Sequence, residues 1–134
     1  MRKRSIATVC LSGTLPDKLE AAAAAGFEAV EIFENDLLTY EGSPAEAGRM
    51  ASDLGLEIAL FQPFRDFEAM PDAARARNLD RAERKFDTMQ QLGASLLLVC
   101  SNVQPTALPE SDRAADDLLE MAERAQRRGL RVGY

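Results

Sequence analysis

The feature that most constrains the fold is a repeat in which a short apolar run is followed by a helical pattern that stops at a glycine. The repeat spans the chain, and its glycines stand at positions 26, 55, 93 and 129. Glycine commonly ends a helix, and strands alternating with helices in this way predict consecutive parallel strands joined by right-handed crossovers. On the pattern alone, an open doubly wound sheet and a (β/α)₈ barrel both fit.

Five apolar runs predict the strands. They cover residues 5–11, 29–33, 57–62, 95–100 and 130–134. The third and fourth runs are apolar almost without interruption, which is typical of strands covered on both faces. In the third run, regular pairing is predicted to stop at Pro63, which has no backbone N–H.

Hydroxyl residues mark the predicted helix starts. Thr14 and Ser43 are predicted caps, each followed by a proline in the first turn. Ser43 and Glu46 also have the spacing of a capping box. Ser111 is the predicted cap of the last helix.

The longest predicted helix runs from about Ala74 to Leu92. Its apolar residues recur at helical spacing, which predicts one buried face. The residues between them include Arg81, Arg84 and Lys85. These three are predicted to face solvent.

The composition argues against several classes of protein. The formal net charge of -6 argues against nucleic-acid binding, and no apolar segment approaches the roughly 18 residues that span a bilayer, so a cytoplasmic protein is expected. The chain has no histidine, which excludes Ser-His-Asp and Cys-His catalysis within it. The two cysteines, Cys10 and Cys100, stand in apolar runs and are predicted to be buried and reduced.

Polar residues stand at the predicted strand ends where parallel α/β proteins bind ligands. Glu31 lies inside an apolar strand, so it needs a partner or a metal unless it faces a partly exposed side of the sheet. Arg65 follows the third strand and is the first candidate for ligand binding. The alternative for Arg65 is a salt bridge with Asp66 or Glu68.

Four segments carry a resemblance to a known family. They read SIATVCLSGTLPDKLEAAAAAGFEAVEIFENDLL, LFQPFRDFE, ARNLDRAERKFDTMQQLGASLLLVCSN and RAQRRGLRVGY. They resemble bacterial 3-dehydroshikimate dehydratases, which belong to the xylose isomerase-like, sugar phosphate isomerase/epimerase superfamily of TIM barrels. The resemblance implies the first half of a (β/α)₈ barrel, with residues 1–134 forming the N-terminal part of a single domain.

The resemblance also implies an activity. It is that of a divalent-metal-dependent lyase, which removes water from 3-dehydroshikimate and forms protocatechuate in quinate and shikimate degradation. A metal that polarises the ketone and a base that removes the adjacent proton suit this chemistry. The metal is expected to be Mg, Mn or Co, and its ligands and a catalytic histidine are expected beyond Tyr134. Residues 1–134 are then expected to hold no catalytic or metal-binding residue and to be inactive alone.

The same resemblance implies residues that bind a small-molecule substrate. Arg65 matches the family's arginine after the third strand, and its guanidinium suits a carboxylate or hydroxyl groups. Glu31, Gln62, Ser101 and Asn102 stand at or near strand ends, where substrate hydroxyl groups are expected to bind.

Two other functions remain open. A sugar isomerase or epimerase of the same superfamily shares the barrel, although an arginine suits an anionic substrate better than a neutral sugar. A half barrel also leaves two strand edges unpaired. A further alternative is that the chain is a non-catalytic module that forms a homodimer through those edges.

Overall fold

The computed structural model describes residues 2–134, which form a parallel five-stranded sheet with helices between the strands. The strands are β1 (Ser5–Ala7), β2 (Ala29–Phe33), β3 (Glu57–Phe64), β4 (Leu96–Val99) and β5 (Arg131–Gly133). The helices are α1 (Leu15–Ala24), α2 (Glu34–Leu38), α3 (Pro44–Asp53), α4 (Asp72–Leu92) and α5 (Ser111–Arg127). The strands lie in chain order and pair in parallel, which confirms the predicted topology.

The first strand is shorter than its apolar run predicted. β1 ends at Ala7, and Thr8–Cys10 forms a 3₁₀ turn. Thr8 is fully buried, and its hydroxyl oxygen accepts a hydrogen bond from the Phe33 backbone N–H at 2.9 Å. The hydroxyl therefore satisfies a backbone donor of β2 that β1 no longer reaches. The turn leaves Cys10 exposed, so its predicted burial is wrong, and the second cysteine is half-buried.

Two helix starts follow the predicted chemistry. Thr14 and Ser43 cap α1 and α3, and each forms a complete capping box with the acid three residues later. The start of α5 differs, because Ser111 is its first helical residue and not its cap. None of the helices within residues 2–134 is long and apolar enough to cross a membrane.

α2 is a short helix in a stretch where the sequence predicted none. Its acidic residues Glu34 and Asp36 form ion pairs with Lys85 of α4 and Lys18 of α1. The Lys18 amine lies 2.8 Å from Asp36 Oδ1, and Lys18 is only 6% exposed. These ion pairs join residues far apart in sequence, and they hold α2 between two longer helices.

β3 continues past the proline that was predicted to end its pairing. Pairing with β2 does stop at Gln62, but Phe64 still pairs with Val99 of β4 after a shift in register. Pro63 therefore interrupts the ladder without ending the strand.

The two faces of the sheet differ in their cover. Strands in chain order with right-handed crossovers place every connecting helix on the same side of the sheet. The side chains on that side are fully buried, and we refer to them as the covered face: Val30, Ile32, Phe61 and Leu97, each at most 1% exposed.

The opposite side of the sheet carries a different set of side chains. Successive residues of a strand point to opposite faces, so these residues alternate with those of the covered face. They are half-buried, and we refer to them as the open face: Glu31, Leu60, Gln62, Leu96 and Leu98. β1 and β5 form the two edges of the sheet within residues 2–134.

Candidate substrate-binding site

The carboxyl ends of β2 and β3 bring two of the predicted site residues into contact. On the open face, Gln62 Nε2 donates a hydrogen bond to Glu31 Oε2 at 3.1 Å. Glu31 thus has the partner that a carboxylate inside an apolar strand needs. The second carboxylate oxygen of Glu31 and the amide oxygen of Gln62 remain acceptors for hydroxyl groups.

Arg65 directly follows β3, and its side chain is exposed. Within residues 2–134, its backbone oxygen accepts a hydrogen bond from Arg81, but its guanidinium forms neither a hydrogen bond nor a salt bridge. The alternative prediction, a salt bridge from Arg65 to Asp66 or Glu68, is therefore wrong within residues 2–134. The guanidinium is left available for a ligand at the same strand end as Gln62.

Arg65 borders a cavity of about 330 Å³ between α2, the end of β3 and α4. Three basic side chains line it, Arg65, Arg81 and Lys85, against one acidic side chain, Glu34. The ring of Phe64 forms part of its wall. Although the chain as a whole is acidic, this cavity has an excess of positive charge, which favours an anionic ligand.

Two of these basic residues were predicted to face solvent, and the structure corrects that prediction. The Lys85 side chain is 18% exposed, and its amine lies 5.8 and 5.9 Å from the ring centroids of Phe61 and Phe64. Burial lowers the pKa of the Lys85 amine. Arg81 is half-buried. Of the three α4 residues that were predicted to face solvent, only Arg84 is exposed.

The end of β4 carries the remaining predicted residues. Ser101 is exposed, whereas Asn102 is engaged with the β3–α4 loop. Asn102 Nδ2 donates to the Glu68 carbonyl at 2.6 Å, and Asn102 Oδ1 accepts from the Gln104 backbone N–H at 2.9 Å. The Asn102 amide therefore holds the β3–α4 loop through its nitrogen and its own β4–α5 segment through its oxygen.

Glu68 lies at the edge of the sheet where the carboxyl ends of the strands meet, which we refer to as the rim. The sequence indicated it only as an alternative partner of Arg65. It is 3% exposed, and its Oε1 accepts hydrogen bonds from the Asn102 backbone N–H and, at 3.2 Å, from the Tyr134 hydroxyl. It thereby joins the carboxyl ends of β3, β4 and β5. Because both partners are more than 30 residues away in sequence, no local pattern identifies this role.

The described residues do not fit a metal site. Residues 2–134 contain no group of three or more His, Cys, Asp or Glu side chains placed to hold an ion. The acid on the open face, Glu31, has an amide as its neighbour and not a second carboxylate. A divalent metal needs several such ligands, and residues 2–134 by themselves do not supply a complete set.

The strand order and the polar strand ends together define a class of protein. Consecutive parallel βα units, with the helices on one side and ligand-binding residues at the carboxyl ends, are the construction of a (β/α)₈ barrel. The xylose isomerase-like TIM barrel family matches residues 19–134, and the chain belongs to that family.

The chain is similar to proteins that are longer than itself. It is 67% identical to a 3-dehydroshikimate dehydratase of Pseudomonas aeruginosa over 98% of this chain and 21% of that protein. A xylose isomerase-like TIM barrel/4-hydroxyphenylpyruvate dioxygenase fusion protein matches with a TM-score of 0.97 and 63% identity, over 98% of this chain and 21% of that one. The chain thus spans about a fifth of the length of each.

A more distant structure shows the fold alone. The IOLI protein with a zinc atom matches with a TM-score of 0.86 and 15% identity. The match covers 98% of this chain and 50% of the IOLI chain. The fold therefore corresponds to half of the IOLI chain. Together with the xylose isomerase-like TIM barrel match, this confirms the expected fold class.

Proposed function

We propose that the chain is the N-terminal part of a 3-dehydroshikimate dehydratase, with residues 1–134 contributing the first half of one barrel domain. The observation that carries the proposal is the 67% identity to the Pseudomonas aeruginosa dehydratase over 98% of this chain. Because the chain spans only 21% of that relative, the activity is proposed for the longer protein. A cytoplasmic location is part of the proposal and rests on the sequence alone.

The residues of this chain have binding roles in the proposed reaction. Arg65 holds the carboxylate of 3-dehydroshikimate in a charge-assisted pair. The Glu31–Gln62 pair accepts hydrogen bonds from substrate hydroxyl groups, and Ser101 offers a further hydroxyl at the next strand end. Asn102, whose amide is already engaged, shapes the same rim.

The chemical step is assigned to the remainder of the longer protein. Dehydration of 3-dehydroshikimate removes a proton beside the ketone and expels a hydroxyl group, giving protocatechuate and water. No described side chains are arranged to hold a metal, so the divalent ion of the proposal, Mg, Mn or Co, takes its ligands from residues outside 1–134. Residues 1–134 alone are accordingly expected to be inactive.

The proposal is tested by comparing the 134-residue chain with a longer chain that carries the rest of the barrel. Each is given 3-dehydroshikimate with added Mg²⁺, Mn²⁺ or Co²⁺, and protocatechuate is followed by its absorbance. We expect turnover only in the longer chain. Turnover by the short chain would refute the division of roles. Failure of the longer chain with every metal, together with isomerisation of a neutral sugar, would point to the isomerase or epimerase alternative.

The role of Arg65 has its own test in the longer chain. Arg65→Ala is expected to raise the KM for 3-dehydroshikimate by about 10- to 100-fold, because a charged hydrogen bond to the substrate is lost. Arg84→Ala is the matched control, since Arg84 is an exposed arginine of α4 that does not line the cavity bordered by Arg65. An unchanged KM in Arg65→Ala would remove Arg65 from the site.

We also propose that the isolated 134-residue chain forms a homodimer. Its edge strands β1 and β5 present unpaired backbone groups, and Leu60, Leu96 and Leu98 leave apolar surface on the open face. Size-exclusion chromatography with light scattering measures the mass directly. A monomer across a range of concentrations would contradict this part of the proposal.

A further inference from the structure

The loop from Arg65 to Pro71, which joins β3 to α4, has a backbone that needs support. Asp66 and Ala69 have φ angles of 57° and 56°. Residues with a Cβ rarely adopt this left-handed conformation, and it persists only where neighbouring groups hold it. The loop that carries Arg65 is therefore held in place by contacts from other elements.

Two residues of α4, one turn apart, provide the contacts nearest to Arg65. Arg81 donates to the Arg65 carbonyl at 3.0 Å and to the Asp66 carbonyl at 3.4 Å. Asn78 is buried, and its Nδ2 donates to the Asp66 and Phe67 carbonyls at 3.3 and 3.2 Å. Arg81 also donates to Asn78 Oδ1 at 2.9 Å, so the two side chains form one unit. Three consecutive loop carbonyls are bound by this unit.

Arg81 also fixes the residue that precedes Arg65. Its guanidinium carbon lies 4.9 Å from the centroid of the Phe64 ring, and Phe64 is 1% exposed. Within residues 2–134 the Arg81 guanidinium has no salt bridge to a carboxylate, so its donors act on loop carbonyls and on Asn78. Burial lowers the pKa of Arg81, against the opposing effect of Asp66. A cation is thus kept in a partly desolvated position to hold this loop.

We propose that Arg81 is a positioning residue for Arg65. Its planar fork binds the Arg65 carbonyl on one side while it packs on Phe64 on the other, and this fixes the direction in which the free guanidinium of Arg65 leaves the end of β3. The inference rests on the proposed function, in which Arg65 binds the substrate carboxylate. Arg81 lines the same cavity, so the test separates positioning from direct contact with the ligand.

The experiment uses the longer, active chain and two ligands that differ by one carboxylate, namely protocatechuate and catechol. Arg81→Lys keeps the charge but loses the planar fork. If Arg81 positions Arg65, Arg81→Lys raises the Kd for protocatechuate by about tenfold and leaves the Kd for catechol within about twofold. The KM for 3-dehydroshikimate rises in parallel, with little change in kcat.

Three further variants make the result specific. Arg84→Lys, on the same helix, is expected to change neither affinity. Arg65→Ala is expected to abolish the difference between the two ligands. If Arg81→Lys retains full discrimination while Arg81→Gln loses it, Arg81 contacts the carboxylate by its charge and the positioning role is wrong. An equal loss of affinity for both ligands in Arg81→Lys would show a general structural defect and would also overturn the inference.

Hydrogen exchange gives a readout that does not depend on activity. Arg81→Lys is expected to speed exchange of the backbone amides of the Arg65–Pro71 loop while exchange within β3 and α4 stays unchanged. Unchanged loop exchange would refute positioning. If Arg65→Ala binds both ligands like the unmodified protein, the proposed role of Arg65 fails and the inference fails with it. If only Arg81→Lys is without effect, the inference fails alone.

Discussion

The covered and open faces of the same sheet show how one set of strands divides stability from function. Along β2, Ile32 on the covered face is 1% exposed, whereas its neighbour Glu31 is half-buried and bonded to Gln62. Along β3, Phe61 and Gln62 show the same alternation. The residues of the covered face are apolar because they pack against the helices. On the open face, Glu31 and Gln62 near the strand ends are able to form hydrogen bonds.

The difference teaches that the open face tolerates polar groups because no helix of the described chain packs on it. A carboxylate on the covered face would lose its hydration without a partner, at a cost of several kcal/mol. On the open face, Glu31 keeps one amide partner and a second oxygen for a ligand. Substitutions on the covered face should therefore mainly change the free energy of unfolding, whereas substitution of the polar residues on the open face should mainly change ligand binding.

The largest effect is expected on the covered face. Phe61→Ala should lower the free energy of unfolding by about 3 to 5 kcal/mol, because it leaves a cavity between the sheet and the helices. Leu119→Ala is the control, since Leu119 is 59% exposed on α5. Urea denaturation of the longer chain measures both. A cost for Phe61→Ala no larger than that of the control would break the distinction between the faces.

An intermediate effect is expected on the open face, and it should depend on chain length. Leu98→Ala in the 134-residue chain, measured at concentrations where it is a monomer, should cost less than about 2 kcal/mol, because the side chain is only half-buried. In the longer chain, where further strands close the barrel around the open face, the cost should rise to about 2 to 5 kcal/mol. Equal costs in the two chains would show that the open face is not the barrel interior.

A smaller effect on stability, with a change in binding, is expected for the polar pair. Glu31→Gln keeps an oxygen that can accept from Gln62, so the free energy of unfolding should change by less than about 1 kcal/mol. The KM for 3-dehydroshikimate should nevertheless rise several-fold, about 3- to 10-fold, because a charged acceptor for a substrate hydroxyl is lost. A large loss of stability with unchanged KM would assign Glu31 a structural role.

The smallest effect is expected at the capping boxes, which lie on the helices of the covered side. Hydrogen bonds from the Thr14 and Ser43 backbone N–H groups hold the pKa of Asp17 and of Glu46 below their usual values. A folded-state pKa below the unfolded one adds stability above the unfolded pKa, and this stability is lost as the pH falls through the folded pKa. Unfolding free energy should therefore decline below about pH 4.5, more weakly in Glu46→Gln. Identical pH profiles would contradict the assignment.

The sequence was sufficient for the covered face, because a continuous apolar run needs only its own residues to be recognised. The runs around Ile32, Phe61 and Leu97 became strands as predicted. The third and fourth were predicted to be covered on both faces, and that is wrong within residues 2–134, where helices cover only one face. The sequence failed where a distant residue decides the local structure. Thr8 ends β1 early through its bond to Phe33, and α2 forms where lysines from two other helices reach its acids.

For the site as well, the sequence was sufficient only where the local strand pattern decides the position of a residue. Arg65, Gln62 and Glu31 could be placed at strand ends from the strand assignment alone, although their roles as ligand-binding residues stay predictions. Arg81 was assigned to a solvent-facing surface, because helical spacing does not show that the preceding loop folds back onto α4. The positive φ angles that create this contact belong to Asp66 and Ala69, neither of which is a glycine that would mark the turn.

The early end of β1 replaces strand pairing by a side-chain bond at one corner of the sheet. The last paired residue of β1 is Ala7, opposite Glu31, whereas β2 runs on to Phe33. The Thr8–Cys10 turn lies beside this end of β2, and the Thr8 hydroxyl accepts from the Phe33 backbone N–H. The corner of the sheet next to Glu31 therefore depends on one side-chain hydroxyl and not on a backbone ladder.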